Sequence, residues 1–215
     1  MKNNILAALL ISMVSFGCAE MTAVMEEVNK QTTGEAPLTN GEVIGGLKEA
    51  LTVGTNNSTA LTSKMDGFYK NPEIFIPFPQ EAIKVKEKVE ALGMQKQVDE
   101  FVLTLNRAAE TATKEAAPIF IDAIKNMSIA DGFAILNGDK NAATMYLKDK
   151  TSAQLKVKFN PIVKKAIEQV EVTKYWNPII TTYNKIPFIE KQNPDLEDYV
   201  TTKAMDGLFL MIEKE

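Results

Sequence analysis

From Asn40 to the C-terminus, apolar residues return every three or four positions, and no strand-length alternation of period two repeats along the chain. That spacing dictates helices with one apolar stripe each, and such helices must bury their stripes against one another. Ala82, Val85, Val89 and Leu92 form one stripe, with Gly93 as its stop. Val98, Val102, Leu105, Ala109 and Ala112 form a second, and Leu155, Phe159, Ile162, Ala166 and Val170 a third. The predicted fold is therefore all-α, a compact multi-helix array of about eight helices joined by short loops.

Local signals punctuate the array. Asn40 can cap a first helix running through Leu47–Leu51, although Gly41, Gly45, Gly46 and Gly54 weaken it. Pro118 marks a break or kink, after which Ile119, Phe120, Ile121, Ile124 and Met127 read as a buried helix. Ser128 and Asp131 have the spacing of a capping box, Gly138 ends that short helix, and Asp139 can cap the next. Asp195 starts the last helix, whose end, Gly207 to Ile212, is apolar all round.

One stretch refuses the helical pattern. Asn71 to Pro79 holds Pro72, Pro77 and Pro79, which forbid a helix and push the preceding residues to extended geometry. Its apolar residues, Ile74, Phe75, Ile76 and Phe78, either close the core as a short proline-rich strap or recruit a partner by strand addition or proline docking. Ile186 to Ile189 is a smaller echo of the same pattern.

The N-terminus reads as an address. Lys2, the apolar run Ile5 to Val14 and the small residue Gly17 before Cys18 have the layout of a secretory signal, and the run falls short of the roughly 20 residues a membrane span needs. Cys18, the lone cysteine, sits where a bacterial lipobox places the acylated residue, although Ser15 stands where leucine is usual. Residues 1–17 are thus expected to be a lipoprotein-type signal peptide, 18–39 a lipid-anchored tether, and 40–215 a single helical domain. Ala19, rather than aspartate, after the cysteine resembles the sorting pattern for the outer membrane, facing the periplasm.

Composition excludes several chemistries. The chain has no histidine, so triads that use it as base, HExxH zinc sites and di-iron Glu-x-x-His pairs are impossible. One cysteine builds neither a disulfide framework nor a thiolate zinc site, and no metal or cofactor is expected. A net charge of -4, with lysines scattered among acids, leaves no electrostatic footprint for nucleic acid. Asn137 to Asn141 begins like a calcium loop but has Ala142 and Lys148 where glycine and glutamate belong, so it is a cap and turn.

Arg107 stands out as the only arginine among 24 basic residues. On a helical wheel it shares a face with Glu110, opposite Val98 and Leu105. Its planar fork suits either a carboxylate or phosphate ligand, or an internal clamp to Glu110 or another helix's acid. The methionines after Cys18 fit pliable core packing or a soft apolar pocket.

Several stretches, in order, resemble a bacterial family of uncharacterised exported proteins, domain-of-unknown-function family 4197. They are Gly46–Leu51, Asn71-Pro72 with Ile76-Pro77, Asn106–Glu110, Ala117–Phe120, Lys150–Leu155, Pro161–Val163 and Lys203–Phe209. The resemblance implies a periplasm-facing location and supplies no activity. The residues themselves favour a non-enzymatic, membrane-tethered protein that binds an envelope partner or an apolar small molecule. The rival is a carboxylate- or lysine-dependent hydrolase of envelope polymers, which needs such groups converging in a cleft.

Overall fold

The computed structural model describes residues 37–169 and 195–215. Among them the chain is helical throughout, with no strand: α1 Asn40–Ser63, a 3-10 turn Gln80–Ala82, α2 Ile83–Ala91, α3 Gln95–Thr113, α4 Ala116–Lys125, α5 Ile129–Leu136, α6 Ala142–Glu168 and α7 Leu196–Lys214. That makes seven α-helices and one 3-10 turn among the described residues, against about eight helices expected for the whole domain. Cys18, the signal, most of the tether, Val170 and the Ile186 to Ile189 echo lie outside them.

Helices α3, α6 and α7 pack on one another and form the centre, with α1 and α4 against their flanks. α3 can approach closely because Ala108, Ala109 and Ala112 are all buried beside Phe101 and Leu105. On α6 Thr144 is buried, and from Leu147 on the buried residues are Leu147, Thr151, Leu155, Phe159, Val163 and Ile167, a row of fours. This corrects the expected stripe by one residue, since Ile162 and Ala166 sit half-buried at its edge. The reason is packing: rows of fours make the ridges that fit the grooves of neighbouring helices. Leu92 is likewise displaced from the expected stripe of α2; it caps the helix from outside and is exposed.

Three of the helix boundaries follow local chemistry. Ser128 and Asp131 form a reciprocal capping box on α5, and Asp195 accepts the amide of Asp198 at 2.9 Å to start α7. Gly93, with φ +82, ends α2 in the left-handed region that glycine enters without penalty. Asp139 does not cap α6: the N-cap is Asn141, and Asp139 instead accepts the amide of Ala142 through its backbone carbonyl.

Between α1 and the 3-10 turn the chain has no α-helix. It turns at Asp66, whose φ is +66, and passes Gly67, where a Cβ would lie 2.6 Å from the carbonyl oxygen of Thr62. Beyond a turn at Asn71, residues Ile74, Ile76 and Phe78 point inward and are buried, while Phe75 points out and is 36% exposed. Helix α7 comes close to this segment because residue 207 is glycine: a Cβ there would be 2.8 Å from Phe68 Cε1 and 3.0 Å from Ile74 Cβ.

Candidate functional site

The segment from Asp66 to Phe78 carries backbone amides and carbonyls into the interior, where each must find a partner. α3 supplies them from one face. Asn106, fully buried, accepts the amide of Ile76 at 2.9 Å and donates to the carbonyls of Ile76 and Val102 at 2.8 Å each. One turn on, Glu110 is 4% exposed, and its Oε1 accepts the amides of both Phe68 and Tyr69 at 3.1 Å. Its Oε2 accepts Arg107 Nη1 at 2.6 Å.

Arg107 then spends its other terminal nitrogen on Asp66 Oδ1 at 2.7 Å, and Lys70 Nζ lies 2.8 Å from Asp66 Oδ2. The Lys70 ammonium first, then the Arg107 guanidinium, hold the Asp66 carboxyl below its ordinary range. Glu110, then Asp66, raise the affinity of the guanidinium for its proton. Two carboxylates from opposite sides thus occupy the fork in the geometry that arginine provides and lysine lacks.

The clamp orders a wall. The Arg107 guanidinium carbon lies 5.6 Å from the ring centroid of Tyr69, within cation–π range. Tyr69 in turn lies 6.0 Å from Phe75, centroid to centroid. Outside these rings runs a groove of about 510 Å³, lined by Tyr69, Phe75, Pro77, Phe78, Val98 and Val102, with Lys86 and Asp99 as its charged members. The size and apolar lining are those of a small-molecule or side-chain site. Lys86 pairs with Glu90 at 3.5 Å, and Asp99 accepts Gln95 Nε2 at 2.9 Å, so both charges are engaged on their own helices.

The family described as "Protein of unknown function (DUF4197)" matches over residues 37–215, from just before α1 to the end of α7. The chain belongs to the DUF4197 family. No curated protein and no solved structure matches it.

In this DUF4197 domain, Arg107 and Glu110 meet, and Asp66 joins them. Ile74, Ile76 and Phe78 lie in the core, so strand addition to the segment would find little apolar surface beyond Phe75. Among the described residues no helix is long and apolar enough to cross a membrane, and no group of three or more acidic or sulfur ligands gathers as a metal site. Among the described residues no methionine lines the groove: Met127 and Met211 are in the core, whereas Met65 and Met145 are exposed. Asp66, Tyr69 and Asn106 are the site residues that sequence reasoning missed. The Asp66-Gly67 dipeptide is a turn signal that marks the loop, but nothing local marks Asn106 as the partner of Ile76, 30 residues away.

Proposed function

We propose that this DUF4197 protein is a non-enzymatic binding protein of the cell envelope, tethered by lipid on Cys18, that holds an apolar or aromatic ligand in the groove between the Tyr69 to Phe78 segment and α3. The groove carries this reading: Tyr69, Phe75, Pro77 and Val102 offer faces and edges of apolar carbon to a ligand, over a floor that includes buried Phe78 and Val98, with the Arg107 clamp behind Tyr69. The address rests on the charged start, short apolar run and cysteine of residues 1–18. Two acyl chains would hold the chain on a membrane, at about 0.8 kcal/mol per buried methylene.

The hydrolytic alternative draws less support. Glu110 is saturated by two amides and a guanidinium, and the lysine and acid at the groove are each engaged by a neighbour on the same helix. A general acid or base needs a free hydrogen-bonding edge toward substrate.

Native mass spectrometry of the full chain purified from its own membranes tests the proposal. The expected result is a co-purifying mass of several hundred daltons, lost in Phe75→Ala with helix content unchanged. A clean ligand-free mass, together with no uptake of an anilinonaphthalene sulfonate probe that Phe75→Ala abolishes, would overturn it.

A further inference from the structure

Helix α5 is out of keeping with its position. Seven of its eight residues, Ile129-Ala-Asp-Gly-Phe-Ala-Ile-Leu136, are apolar or glycine, yet the only one buried is Gly132. Ile129 is 54% exposed and Leu136 48% exposed, Phe133 is half-buried, and Ala130 and Ala134 are exposed.

The sides of α5 are distinct. Gly132 faces α1, where a Cβ would lie 2.5 Å from Ile44 Cδ1. Asp131, 100° further back on the wheel, is bound into the capping box. Ile129 and Leu136, at i and i+7 on the side away from Asp131, carry the exposed apolar surface, with half-buried Phe133 between them at i+4.

Where α5 sits is the second observation. It packs against Ile44, one turn from Asn40, where the chain enters the domain. The 24 residues of α1 put that end about 36 Å from the opposite one, where Asp66, Tyr69 and the groove lie.

We infer that the Ile129–Phe133–Leu136 face of α5 docks into the phospholipid interface, holding the DUF4197 domain with its groove turned away from the membrane. This rests on the lipid-anchor reading. Roughly 20 residues separate Cys18 from Asn40, a chain that reaches at most about 70 Å. Anchoring therefore keeps the face at high effective concentration beside the bilayer, where a weak apolar contact is enough. The chain's net charge of -4 gives no attraction to anionic headgroups, so the contact is one of apolar insertion.

Tryptophan fluorescence tests it, using the full chain processed in a bacterial host and reconstituted into phosphatidylethanolamine–phosphatidylglycerol vesicles, with Trp176→Phe in every variant. Leu136→Trp and, independently, Ile129→Trp should shift to the blue and be quenched roughly twofold when brominated phospholipid is included, as an interfacial helix requires. Met65→Trp, at a site 78% exposed past the far end of α1, should remain unquenched. Equal quenching at all three positions, or none at 129 and 136, overturns the docking. If the chain floats with vesicles but positions 129 and 136 stay unquenched, the anchor reading survives and the docking fails. A chain that does not float, with or without acyl groups, removes both. A blue shift that grows with protein concentration and needs no lipid assigns the face to a second copy and also overturns the proposal.

Discussion

Helices α3 and α1 both bury polar side chains, and they put them to different use. α3 buries Asn106, Glu110 and Thr113; Thr113 returns its hydroxyl to the carbonyl of Glu110, while Asn106 and Glu110 reach outside the helix and together accept three backbone amides of the 66–78 segment and a guanidinium. α1 buries Thr55, Ser58, Thr59 and Thr62, with Ile44 its one fully buried apolar residue. Thr55 and Thr62 return their hydroxyls to carbonyls of their own helix, while those of Ser58 and Thr59 are buried with no partner among the described residues. Buried polarity organises structure only where it is matched, because an unmatched group loses its water and gains nothing. α3 therefore uses polar groups to shape a loop and a groove wall, and α1 packs with a face that gives up apolar contact.

The comparison can be broken most directly at Glu110. Glu110→Ala leaves the buried amide of Phe68, the part-buried amide of Tyr69 and Arg107 Nη1 without their acceptor and should cost about 3 kcal/mol in urea unfolding. A loss below about 1 kcal/mol would mean that α3 does not organise the segment. Asn106→Leu keeps the volume and strands the amide and carbonyl of Ile76; about 2 kcal/mol is expected, with weakened probe uptake in the groove.

The Asp66 contact sharpens the contrast through pH. Its folded pKa is depressed, so its contribution is present above the ordinary carboxylate value of 3.8 and is lost as pH falls through the lower folded value. Asp66→Asn should flatten that part of the acid side of the stability curve; because Asp66 faces solvent, the effect should be smaller than that of either α3 variant. The smallest effect belongs to α1. Ser58→Ala removes an unpartnered buried hydroxyl and should be neutral or stabilise by up to about 1 kcal/mol. A clear loss of stability there would show a hydrogen bond and erase the contrast between the helices.

Much of the fold was legible because its signals are local. The capping box at Ser128 and Asp131, the cap at Asp195 and the stop at Gly93 involve residues within one turn, and the structure has all three. The pairing of Arg107 with Glu110 was legible for the same reason, since i and i+3 share a helix face. The α6 stripe was misplaced by one residue because apolar spacing alone does not reveal which neighbouring ridge a helix fits. Asp139 was mistaken for a cap because the Asn141 alternative differs from it only in where the turn closes.

By itself, then, the sequence determined the helical class, several helix ends, the exclusion of histidine-based catalysis and of a disulfide framework or thiolate zinc site, and the one arginine, whose planar fork lysine lacks. Each of these depends on residue identity or on spacing within a turn or two. The tertiary structure alone decided that Asp66 completes the clamp, that Asn106 holds Ile76, that Tyr69 and Phe75 frame a groove, and that Ile129 and Leu136 of α5 are left exposed. These rest largely on contacts between distant parts of the chain, such as the 30 positions from Ile76 to Asn106 and the 41 from Asp66 to Arg107, or on what packs beside a helix, and a chain's local pattern carries no record of which distant segment will meet it.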